Sequence, residues 1–127
     1  MRTHIVSDVH GAGHALADAA KGCDVFVCLG DLILFLDYDD PDRGIYADLF
    51  GVDHARAYIE ARTANRFDEA RALSDAAWAG IGITDRAQRW GILESMVRVQ
   101  YEELFAAMPT PALMTYGNVD VPAMWPH

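Results

Sequence analysis

The chain has 127 residues, of which 52% are hydrophobic, and a formal net charge of -9. That length and composition suit one small globular domain with a core of its own and exclude a disordered chain. The negative balance argues against general binding to nucleic acid or anionic lipid, although divalent cations held in an acidic site would invert the local charge and admit an anionic substrate.

Residues 3–7, THIVS, are a short β-branched run and read as a buried strand, followed by the polar DVHGAG. Residues 14–22 set Leu16, Ala19 and Ala20 at helical spacing and stop at Gly22, a residue suited to the position just past a helix. Residues 24–31, DVFVCLGD, are a continuous apolar run closed by Gly-Asp, which reads as a second buried strand. Strand, helix and strand in this order make a βαβ unit and imply a parallel pair. Cys23 and Cys28 lack the CxxC spacing of a zinc knuckle and read as small buried thiols in a reducing compartment. The chain opens directly on a strand without a leader-like apolar segment. No apolar run approaches the roughly 20 residues that span a bilayer, so a cytoplasmic protein is expected.

Residues 33–44 begin apolar and turn acidic, with Asp37, Asp39, Asp40 and Asp42 around Pro41. This segment reads as a solvated loop near the mouth of a site; it lacks the glycine and the closing glutamate of an EF-hand. Three stretches, 46–62, 65–79 and 85–107, have helical composition and apolar i,i+4 spacing, as in Ile92 and Met96 or Val97 and Tyr101. Asp85 is placed to cap the last of them. Together they form a helical insertion over 46–107, suited to a lid, a specificity element or a dimer surface. MPTP (108–111) ends the helix, and ALMTYGNVD (112–120) is a third apolar run closed by glycine and polar residues. The fold class is therefore α/β, a parallel βαβ sheet core carrying a helical insertion.

The three strands end alike. The first delivers Asp8 and His10, the second Asp31, the third Asn118 and Asp120. In a parallel sheet all carboxyl ends lie on one edge, so these side chains converge there. Carboxylates gathered together repel one another, and a divalent metal relieves that repulsion. Oxygen plus imidazole ligands suit Mn, Fe, Zn or Ni. The glycines at 11, 30 and 117 fit sharp turns that bring backbone close to metal or substrate.

The set D-x-H, then G-D, then G-N-x-D resembles the signature of the calcineurin-like metallophosphoesterases, over residues 1–34 and 112–120. The resemblance implies the N-terminal half of an α/β sandwich and a hydrolase acting on phosphate esters, a phosphodiesterase or phosphatase. It implies a dinuclear metal centre that activates water for attack on phosphorus. Asp8 and His10 would bind the first of two divalent ions, Asp31 would bridge both, and Asn118 would bind the second and orient a phosphate oxygen. Asp120 would support the site without binding metal.

Two departures stand out. Val119 occupies the position where the family often has histidine, and valine protonates no leaving group. His14 is a possible substitute, but it reads more simply as an exposed residue in a helix's first turn. The family's later histidine motifs are also missing, since only His127 follows Asn118, so the chain reads as an N-terminal portion with an incomplete site. Two other readings follow. One is a truncated, non-catalytic metal-binding or assembly module. The other is a nucleotide-binding α/β domain, but Gly11-x-Gly13 lacks a third glycine and leaves Asp8 and His10 without a role. The implied partners are a small phosphorylated substrate and, given exposed apolar surface where half a sandwich is missing, a further copy of the chain.

Overall fold

The computed structural model describes every residue, Met1–His127. In chain order the elements are β1 (Thr3–Val6), α1 (Gly13–Ala19), β2 (Val25–Cys28), α2 (Ile45–Phe50), α3 (Val52–Thr63), α4 (Phe67–Gly80), α5 (Arg86–Ala107) and β3 (Leu113–Met114), followed by a 3-10 turn at Pro122–Met124. The chain divides into two compact units, one formed by Met1–Ile33 with Ser95–His127 and the other by Leu34–Glu94. The insertion expected at 46–107 is thus divided within α5, whose second half belongs with the sheet.

The first unit is an α/β layer built on a parallel sheet in the order β1-β2-β3. The register pairs Ile5 with Val27 and Val27 with Leu113, so these three share one face. Val6, Cys28 and Met114 share the other face, with His4 and Phe26 beside them. Only this second face is covered. Phe26 is 1% exposed and Cys28 0%, whereas Ile5 is 63% and Leu113 62% exposed. On the covered face the His4 Nδ1–H donates to the Ala19 carbonyl at 2.7 Å, a side-chain cap on the last turn of α1. The core continues through Leu16, Leu32, Tyr101, Leu104, Met108 and Met124.

The strands are therefore not buried on both sides, as their continuous apolar runs suggest. An apolar run predicts two covered faces; here helices cover one face of a three-stranded sheet and the other stays open. β3 is also shorter than its apolar run, two residues long, with the Thr115 N–H still donating to the Cys28 carbonyl at 3.0 Å just beyond it.

In the second unit, Asp37 organises the acidic loop. One of its oxygens accepts the N–H groups of Asp39 and Asp40, at 2.9 and 3.0 Å, and the other accepts Arg43 Nη1 at 3.2 Å. The stretch expected as a single helix over 46–62 is two helices. Gly51 adopts φ 89°, which breaks the α-helical path between α2 and α3. Asp85 does cap α5, accepting the Gln88 N–H at 3.0 Å. Tyr46, Ala47 and Ala55 form a small core, with Leu36, Phe50 and Tyr58 packed against it. Tyr46 stacks on Tyr58 at 4.7 Å between centroids and meets Phe50 edge-on at 4.8 Å.

Burial, with the neighbouring Tyr58 adding to it, pushes the Tyr46 hydroxyl from 10.0 up to about 12. The neutral phenol is therefore favoured more in the folded than in the unfolded chain. Its contribution is complete below pH 10 and is lost as pH rises through about 12. Unfolding free energy should fall by on the order of 2 kcal/mol over that window, and Tyr46→Phe should flatten the fall. Because the Tyr46 hydroxyl has no hydrogen-bond partner, the same substitution should cost less than about 1 kcal/mol at pH 7. Urea titrations at pH 7, 9 and 11 measure both effects. In the first unit, Phe26→Ala should cost about 3–5 kcal/mol, and Ile5→Thr on the open face about 0.5 kcal/mol or less.

Candidate metal centre

The carboxyl ends of the three strands do lie together, and backbone hydrogen bonds join their loops. The Asp8 N–H donates to the Gly30 carbonyl at 3.1 Å, His10 N–H to Asp31 at 2.9 Å and Gly11 N–H to Leu32 at 2.8 Å. These bonds continue the β1–β2 ladder beyond the strands and hold the D-x-H and G-D segments side by side.

The third loop is fastened by Asp120. Its Oδ2 accepts the N–H groups of Asp31 at 2.7 Å and Gly117 at 2.9 Å, and its Oδ1 accepts Leu32 N–H at 2.9 Å. The Tyr101 hydroxyl, on α5, donates to Oδ1 at 3.2 Å and accepts the Val121 N–H at 2.6 Å. Burial pushes the Tyr101 hydroxyl up, against the opposing pull of the Val121 N–H, and the charge of Asp120 adds a smaller upward push, so it stays a neutral donor. One carboxylate thus carries four donors from three parts of the chain. Charge-assisted bonds of this kind are shorter and stronger than neutral ones.

The loops approach so closely that side chains are excluded at two positions. A Cβ on Gly30, which has φ 98°, would collide with the backbone of Tyr116 and Gly117. A Cβ on Gly117 would collide with the carboxylate of Asp31. Glycine was expected here for approach to metal or substrate; what these two positions accommodate is the neighbouring loop.

The expected ligands occupy unusual backbone. Four non-glycine residues adopt left-handed φ: Asp8 at 52°, His10 at 41°, Asp31 at 54° and Asn65 at 58°. Three of the four are expected ligands; the fourth follows α3, where asparagine is a common helix terminator. Left-handed backbone at a non-glycine residue costs on the order of 1–3 kcal/mol and is concentrated at functional sites.

His10 Nδ1 lies 3.2 Å from the Ile33 carbonyl. A carbonyl only accepts, so Nδ1 carries a proton, and in the neutral ring Nε2 then presents its lone pair. Nε2 lies 3.8 Å from Asp8 Oδ1, so two lone-pair atoms face each other. This is the orientation a metal-binding histidine takes when a backbone carbonyl fixes its tautomer. The donor chemistry of the pair fits a divalent cation. Asp31 Oδ1 turns instead to the third loop and accepts the Val119 N–H at 3.3 Å, while Asn118 is exposed on that loop. Asp8 and His10 are thus brought together and Asp31 is set beside Asn118. No three carboxylate, imidazole or thiol side chains gather at a single point.

The residue that sequence reasoning missed is Tyr101. It was placed by spacing as an apolar helix position, and it is 0% exposed. Its hydroxyl was the signal, because a buried tyrosine oxygen needs a partner. No family model, curated protein or solved structure matches this chain.

Asp120→Ala leaves three backbone N–H groups without their acceptor and should cost about 3 kcal/mol or more, whereas Tyr101→Phe should cost about 1–2 kcal/mol. Asp8→Gly should raise stability by about 1 kcal/mol in metal-free buffer by relieving the left-handed strain. Chemical denaturation of the three variants with EDTA present measures this order.

Proposed function

We propose that this chain carries the metal-holding portion of a metal-dependent phosphoesterase, a phosphodiesterase or phosphatase acting on a small phosphorylated substrate. The observation that carries this reading is the confinement of left-handed non-glycine backbone to Asp8, His10 and Asp31, with a helix terminator as the sole exception. Strain of that kind persists where the surroundings over-determine the geometry, and ligand placement is a reason for it.

In this reading Asp8 and His10 hold one divalent cation, Asp31 reaches both of two, and Asn118 holds the second. Bound Mn, Fe, Zn or Ni ions would supply Lewis acidity toward phosphoryl oxygens and a water that ionises near neutral pH. The Ile33 carbonyl keeps His10 in the tautomer that presents Nε2. Asp120 keeps the Asp31 and Asn118 loops in register and is itself committed to its donors, so it orients the site from behind. Val119 gives its N–H to Asp31 and offers no proton to a leaving group. Esters with good leaving groups are therefore the favoured substrates, and aliphatic monoesters turn over slowly. No helix of the chain is long and apolar enough to cross a membrane, and both cysteines are free thiols, which supports a cytoplasmic setting.

A second reading, a non-catalytic metal-binding or assembly module, is favoured by the open apolar sheet face with Ile5 and Leu113 exposed. That face also suits a homo-oligomer.

Titration with Mn²⁺ followed by amide line broadening should affect residues around Asp8, His10 and Asp31 first, and Asp31→Asn should weaken the response. With Mn²⁺, a longer chain that also supplied the later histidine motifs should hydrolyse bis-p-nitrophenyl phosphate, and Asp31→Asn in it should lose at least about 100-fold in kcat/KM. Metal binding without turnover selects the module reading. Turnover that survives both EDTA and Asp31→Asn would sink the proposed mechanism.

A further inference from the structure

A cavity of about 310 Å³ opens beside the Gly11–Gly13 turn, immediately after His10 in the chain. Its floor is small and apolar, made by Gly11, Gly13, Ala17 and Leu104, and its ionisable wall consists of His14 and Glu103. The volume is at the low end of small-molecule sites and leaves ample room for a chain of a few carbons.

The charge pattern selects what enters. Glu103 is the one carboxylate of the lining, in a chain whose net charge is already -9. Asp18, on the helix beside it, is paired with Lys21 at 2.5 Å, and it does not line the cavity. A carboxylate or phosphate in the cavity would meet net repulsion, and an ammonium group would meet an acceptor. No Phe, Tyr or Trp ring lines the cavity, so a quaternary ammonium would find none of the rings that bind it best. A primary ammonium, donating directly to the Glu103 carboxylate, fits best, with its alkyl chain on Leu104 and the glycine turn.

We propose that this cavity binds a small primary alkylammonium group. Its assignment as the alcohol portion of a phosphoester, an amino alcohol held next to the Asp8–His10 loop, rests on the phosphoesterase reading; the binding site itself does not. Glu103 is then the specificity-determining residue, giving preference to esters of amino alcohols over esters of acidic or neutral ones.

The test uses the full chain, ¹⁵N-labelled, at pH 8 with EDTA present, titrated with propylammonium, 1-propanol and propionate at matched ionic strength. Propylammonium should give saturable amide shifts at Gly11, Gly13 and Ala17. Propanol should bind about 3–5-fold more weakly, the size of one exposed ion pair, and propionate more weakly still. Glu103→Gln, a surface change that leaves the remaining spectrum in place, should bring propylammonium to within about twofold of propanol. Equal responses to all three compounds, no saturation below about 100 mM, or an ammonium preference that survives Glu103→Gln would overturn the site. No metal or turnover enters this measurement, so its outcome is independent of the Mn²⁺ titration above.

Discussion

One carboxylate decides whether this sheet edge is a site or merely three loops. Asp120 accepts from Asp31, Leu32, Gly117 and Tyr101, so the second and third strand ends share a single anchor. The backbone bonds from Asp8, His10 and Gly11 then add the first strand end to the same frame. Without Asp120 the 117–120 segment would be held by the short β3 ladder and its Thr115–Cys28 bond, the long Val119–Asp31 bond and the Val121–Tyr101 bond. Tyr101 extends the anchor into α5, which fixes the edge against the helical side of the unit.

That frame explains how an unfavourable backbone is sustained. Left-handed φ is uncommon outside glycine, even though Asp and His adopt it more readily than most, and here three such residues hold it along one sheet edge. Packing of Phe26, Cys28, Leu32 and Tyr101 beneath the loops supplies the stability from which the strain is drawn. The arrangement favours a defined geometry for Asp8 and His10 over the lowest-energy turn. The opposite face of the same sheet has no comparable support, and its aliphatic row meets solvent.

Much of this was legible in the sequence, for identifiable reasons. β1, α1 and β2 follow from short apolar runs punctuated by Gly-Asp and by Gly22, signals that depend on local chemistry alone. The placement of Asp8, His10, Asp31 and Asn118 at one edge follows from parallel topology, which fixes where strand ends lie. What sequence could not supply was anything set by a partner distant in the chain. The apolar character of Ile5 and Leu113 looks the same whether or not a second layer covers them. The split of the 46–62 helix was available in Gly51, but glycine within a helical pattern is often tolerated, so its φ of 89° was not forced by sequence. The bond from the Val119 N–H to the Asp31 carboxylate depends on side-chain rotamers, which no motif encodes.

The Asp31–Asp120 bond joins residues 89 positions apart, and the chain between them includes the whole Leu34–Glu94 unit. Closing a loop of that length has an entropic cost that rises only slowly with length but must be met before the contact forms. Compaction of the intervening helices shortens the effective tether, so the assembly of the sheet edge depends in part on a unit that contributes no residue to it. Changes in α3 or α4 would then register as slower maturation of the edge: a kinetic sensitivity spread over residues that form no part of it.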